Sequence, residues 1–161
     1  MAVLHLGVID VEYTNEPGKT TGDVAEILEA KYHVMEIFSR EHGQEIADTV
    51  AAAMLGAVEA ELMGAPNAGT SGEAQAATDI QNMFQDFLSH DEMAHMGYPG
   101  VPTAAALKGK SVRFKRKKGN PRPSFIDSGL YQASMRVWGD DLPGMTEYGW
   151  AFAGLENSIG A

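Results

Sequence analysis

The chain has 161 residues, 44% of them hydrophobic, no cysteine and a net charge of −10. The length accommodates one domain, 1–161, with a core that needs no metal or disulfide. The missing cysteine excludes disulfides, thiolate catalysis and Cys-based zinc sites. No apolar run approaches the roughly 18–20 residues that span a bilayer. The opening "MAVLHLGVIDVEYT" lacks the basic flank of a signal peptide, so a soluble product made in the cytoplasm, with no membrane partner, is expected.

In chain order, "GVIDVEY" alternates, which predicts a short strand with Ile9, Val11 and Tyr13 on one face. "TNEPGKTTG" reads as a loop that completes the segment 1–20. A helical part follows over 21–95. Its first helix starts with Thr21 as N-cap, Asp23 and Glu26 near the positive end of the dipole, and Gly43 as C-cap. Val24, Ile27, Leu28, Val34, Met35 and Phe38 recur at helical spacing as its apolar face. A second helix fits 44–63, with a stripe of Ile46, Val50, Met54, Val58 and Leu62. Its small-residue middle, "AAAMLGA", lets another element approach closely. The composition of 64–73 predicts a mobile linker. A third helix fits 74–94 and buries Ile80, Phe84, Phe87 and Leu88.

The segment 96–140 changes character. "AAAL" adds one helical turn, and "SVRFKRKKGNPRPSF" reads as a hairpin with "KKGNP" at its tip. "DSGLYQASM" predicts a short helix capped by Asp127 or Ser128, followed by a strand, with Gly129 allowing close packing and Leu130 buried. The tail 141–161 is rich in Gly and aromatics. The expected class is α+β: an N-terminal strand, about three helices, and a small antiparallel sheet that includes the basic hairpin.

Charge is segregated. Eight of the twelve Lys and Arg residues are Lys108, Lys110, Arg113, Lys115, Arg116, Lys117, Lys118 and Arg122, with no acidic residue in that window. The rest of the chain carries four basic groups against twenty-two acidic ones. An acidic body with a basic prong can steer partners, or copies of itself, into register. If the prong is a strand, Arg113, Lys115 and Lys117 share a face. Phosphate contact with nucleic acid is the alternative use of 108–122, although few aromatics are placed there for base stacking.

Motifs for chemistry are weak. "YTNEPGKT" stands where a phosphate-binding loop would, but Tyr13 replaces the first glycine and Pro17 removes an N–H. "HDEMAH" spaces His90 and His95 by five residues, which turns the rings about 140° apart on a helix rather than onto one face. His5, His33 and His42 are scattered. "DSG" contains no nucleophile elbow, so Asp127, Ser128 and Gly129 read as a structural corner. No catalytic, cofactor-binding or metal residue is assigned, and no cofactor is expected.

"RPSFIDSGLYQASMRVW", over 122–138, resembles a signature of tail-completion and neck proteins of long-tailed bacteriophages. An Asp-Thr/Ser-Gly corner is followed there by Leu, by Ser about four residues later, and by a strand. The matching positions are Asp127, Ser128, Gly129, Leu130 and Ser134. The resemblance implies a small α+β subunit without catalytic residues, built into a homo-oligomeric ring at the head–tail junction. It also implies a location in the virion, neighbours among neck, portal-side or tail-tube proteins, and proximity to packaged DNA. Ring closure needs heterologous contacts, in which one patch matches a different patch on the next copy.

Overall fold

The computed structural model describes residues 4–65, 68–111 and 114–139. The fold is α+β. Strand β1 (Leu4–Val8) pairs antiparallel with β2 (Met135–Gly139), in a register that sets Leu4 against Gly139 and Val8 against Met135. Between them come helices α1 (Thr21–Tyr32), α2 (Val34–Glu41), α3 (Gly43–Leu62), α4 (Ala68–Ser89), α5 (Glu92–His95), α6 (Ala104–Leu107) and α7 (Leu130–Ser134).

The first strand lies earlier than the alternation suggests. Its ladder ends where β2 gives way to α7, and the Ile9 N–H bonds to the Ser134 carbonyl at 2.8 Å. Beyond it the chain forms a loop closed by a bridge between Glu12 and Thr20. Val11 is consequently exposed and Tyr13 buried, which breaks the proposed common face.

Helix α1 is capped by Thr20, one residue before the predicted cap. Its side chain accepts from the Asp23 N–H, and the Asp23 carboxylate accepts from the Thr20 N–H, which is a capping box. Thr21 is instead fully buried. Its hydroxyl donates to the Ile9 carbonyl at 2.6 Å and accepts from the Val11 N–H at 2.9 Å, tying the loop to the helix. Thr21→Val keeps the shape but leaves both backbone groups short of a partner. It is expected to destabilise by about 1–3 kcal/mol in urea melts.

The single helix expected over 21–43 is two. His33 adopts a left-handed conformation (φ 53°) and ends α1, its N–H bonding to the Glu29 carbonyl. The Glu29 carboxylate then accepts from the N–H groups of Met35 and Glu36 and starts α2. Gly43 begins α3 rather than capping the helix before it. Ile27, placed on the apolar face by its spacing, is 53% exposed.

The predicted linker is mostly helix, because α4 begins at Ala68. Residues Gly72 onward are held against α3. A Cβ at Gly72 would lie 2.8 Å from the Ala53 carbonyl and 3.3 Å from the Ala57 methyl. The small residues of α3 thus serve close approach, as their composition suggests. Ile80, Phe84, Phe87 and Leu88 of α4 are buried, as predicted. They meet Val34, Met35, Ile37 and Phe38 of α2, and the strands contribute Val8, Met135 and Val137 to the same cluster.

Among its described residues the basic stretch adds no strand to the sheet. Among the described residues it forms one bridge, Ser111 with Arg116, closed by hydrogen bonds of 3.0 and 2.7 Å. Lys115 is left-handed (φ 51°), which turns the chain back too soon for a ladder to grow. Pro121 and Pro123 then withhold two N–H donors.

Candidate functional site

The loop after α6 is built on a glycine. Gly109 has φ 57°, and a Cβ there would lie 2.4 Å from the backbone of Gly119 and Asn120. This contact brings the two arms of the basic stretch together, with the Gly119 N–H bonded to the Lys108 carbonyl at 3.1 Å. Lys108, Lys110, Lys115, Arg116, Lys117 and Lys118 are exposed, as is Phe114. Arg113 lies outside the described residues, so the face it was expected to share with Lys115 and Lys117 is not described.

Arg122 does not belong to that surface. Its guanidinium bonds to the carbonyls of Ile126 and Lys110 and pairs with the Asp127 carboxylate at 3.2 Å. Both side chains are largely withdrawn from solvent, at 19% and 24% exposed. The Ser111 hydroxyl donates to the same carboxylate at 2.7 Å and accepts from the Phe114 N–H. Asp127 is therefore the anchor of the basic loop.

The corner is structural in a different way from the one its residue types suggest. Helix α7 is preceded by Gly129 in the left-handed conformation (φ 78°), and no side chain caps it in the usual way. The Ser128 hydroxyl accepts from the Leu130 N–H at 3.3 Å, a local turn contact. Gly129 supplies conformation rather than close packing, since a Cβ there would meet nothing within 4 Å. Leu130 is only half-buried, and the side chain that enters the core is Tyr131. The reason is direction: the left-handed turn at Gly129 points the next-but-one residue inward. Ser134 is buried, its hydroxyl donating to the Tyr131 carbonyl at 2.8 Å.

The Tyr131 hydroxyl has no hydrogen-bond partner among the described residues. Burial, aided by Glu29 and Tyr13, holds this phenol well above its ordinary pKa. The folded state therefore keeps the proton that the unfolded chain loses above about pH 10, and stability contributed by the neutral phenol falls as pH rises through that value. Tyr131→Phe is expected to be neutral or stabilising by up to about 1 kcal/mol near pH 7, and to flatten the loss of stability above pH 10. Chemical denaturation at both pH values checks it.

The other candidates do not converge. In 13–20, the Glu12 carboxylate accepts from the Gly18 N–H at 2.7 Å, and the Tyr13 and Lys19 N–H groups bond within the loop. A carboxylate thus occupies the place phosphate would need. His90 and His95 each bond to a carbonyl in their own preceding turn, and Asp91 interrupts the helix between them with φ 49°. His42 instead bridges Glu45 and Glu92 at 3.1 and 3.0 Å, joining α3 to α5. Glu29, His33 and Glu36 come close enough to hold a cation, but Glu29 is already engaged in starting α2.

The feature missed from sequence lies on α3. Met54, Val58 and Leu62, read as part of a core stripe, are 52–84% exposed, and their neighbour Leu55 is 66% exposed. The side of α3 that meets α4 includes Ala53 and Ala57, and Ile46 and Val50 pack against the core. The signal was in the spacing: steps of four residues advance 400°, so a stripe at 46, 50, 54, 58 and 62 drifts by 40° each time and leaves the seam. Compared with known proteins, the chain matches no family model, no curated protein and no solved structure.

Proposed function

We propose that the chain is a non-enzymatic structural subunit of the head–tail connection of a long-tailed bacteriophage, acting in tail completion, tail termination or a neck ring. The observation that carries the assembly reading is the outward apolar face of α3, where four large side chains stay exposed on a chain that buries Phe38, Phe84 and Phe87 completely. Exposed patches of this kind mark contact with another protein. The head–tail assignment rests on the resemblance of 122–138 to the tail-completion and neck signature. The anchoring of the basic loop by Asp127 and Arg122 gives that segment an internal structural task, consistent with a corner that performs no chemistry.

The test is negative-stain imaging of the purified chain, alone and with portal or tail-tube proteins. Rings, or caps on tail ends, are the expected result. A monomer that binds duplex DNA in a steeply salt-dependent manner, and ignores both partners, would replace this reading with a nucleic-acid-binding module built on 108–122.

A further inference from the structure

We infer that the outward face of α3 in one copy of this chain receives the basic loop of a second copy, in a head-to-tail contact. The inference rests on the assembly reading above and names its two surfaces.

The receiving surface is apolar with an acidic rim. At 100° per residue, Met54, Leu55, Val58 and Leu62 fall within one third of the helix circumference, and Glu61 and Glu59 flank the stripe on its two sides. Both glutamates are exposed. From Gly43 to Ser89 the chain carries seven acidic residues and no Lys or Arg, so this helix pair repels another copy of itself. It also repels residues 141–161, which hold acids and no Lys or Arg.

The matching surface is basic with apolar points. Leu107 is 55% exposed and Phe114 43% exposed, and exposed lysines surround them at Lys108, Lys115 and Lys117. Among the described residues this is the stretch that joins large exposed apolar side chains to clustered positive charge.

The two surfaces stand at opposite ends of the helix pair. The Ser124 hydroxyl donates to the Asp91 carboxylate at 3.1 Å, which fastens the loop region beyond the end of α4. The exposed stripe lies beside the start of α4, where Gly72 touches Ala53 and Ala57. The helix between Gly72 and Ser89 spans about 25 Å. One copy therefore cannot bring its own loop onto its own stripe, but a second copy placed end to end can. A contact of this heterologous kind closes into a ring or extends as a filament.

The experiment uses two full-length variants and sedimentation velocity. Leu55→Glu with Val58→Glu removes the receiving face, and Lys115→Glu with Lys117→Glu reverses the loop. Both alter exposed positions, so melting curves should match wild type. Wild type is expected to self-associate with concentration and to dissociate in high salt. Each variant alone should lose about thirtyfold or more in affinity, the size expected for central contacts. Mixed together, they should form a one-to-one dimer and nothing larger, because each supplies the half that the other lacks.

Wild type that stays monomeric at high micromolar concentration would overturn the inference. So would variants that associate like wild type, or a mixture that does not pair. Crosslinks between the α3 stripe and residues 141–161 of the same chain, in a yield that does not vary with concentration, would also overturn it, and would assign the stripe to those residues. A chain found in purified virions whose self-association ignores both variants would keep the head–tail reading and remove this contact.

Discussion

Phe38→Ala is expected to destabilise the fold by about 3–5 kcal/mol, because the side chain is fully buried and its surroundings are braced from several directions. Its ring meets Phe84 edge-on at 4.9 Å and Phe87 at 5.5 Å, and stacks on His42 at 5.1 Å. His42 is itself fixed by Glu45 and Glu92, so the wall of the cavity cannot simply fall inward. A thermal melt should show the midpoint falling by roughly 10–15 °C for a chain of this size. Leu62→Ala is the control. It removes a comparable side chain that is 84% exposed, and should change monomer stability by less than about 0.5 kcal/mol. A loss below about 1 kcal/mol for Phe38→Ala would mean that the centre of the core lies elsewhere.

That contrast also explains what was legible in the residues. In α4, Ile80, Phe84, Phe87 and Leu88 advance by four, three and one, which keeps them on one side of the helix, and all four are buried. In α3 the apolar residues advance by fours alone, so the stripe turns away from the seam that the alanines make. Helix α7 followed by β2 was also readable, since "LYQAS" and "MRVWG" stand side by side in the chain. The partner of β2 was not, because β1 lies at the other end of the described chain and no local pattern announces the pairing. The basic stretch had the composition of a hairpin, but a left-handed Lys115 and two prolines decide its path, and composition does not report backbone dihedrals. At the corner, residue types suited to capping were put to other uses: Asp127 holds Arg122 and Ser111, and both lie far enough away in sequence to escape local reading.

Asp127→Ala is the substitution expected to matter most outside the aromatic core. It removes the carboxylate that faces the Arg122 guanidinium and that accepts from the Ser111 hydroxyl. Arg122 would stay where it is, because the carbonyls of Ile126 and Lys110 still hold it, but its charge would be left largely withdrawn from water without a counterion. That situation costs more than the pair itself contributes, and a loss of about 2–3 kcal/mol follows for a pair that is mostly but not wholly buried. Asp127→Asn keeps the shape and one acceptor while losing the charge, so it should fall between Ala and wild type. Ser128→Ala removes the local turn contact of an exposed residue and should cost less than either. The order Ala, Asn at 127, then Ala at 128 is the prediction, read from urea melts. A double-mutant cycle with Ser111→Ala then separates the hydroxyl from the guanidinium: the two substitutions share one carboxylate, so their effects should add to less than their sum. The loop should also loosen, so native-state hydrogen exchange at Phe114 and Arg116, both hydrogen-bonded to Ser111, should accelerate in Asp127→Ala and not in Ser128→Ala. If Ser128→Ala proved the more damaging of the two, the corner would be held by its cap after all, and the basic loop would owe its position to something other than Asp127.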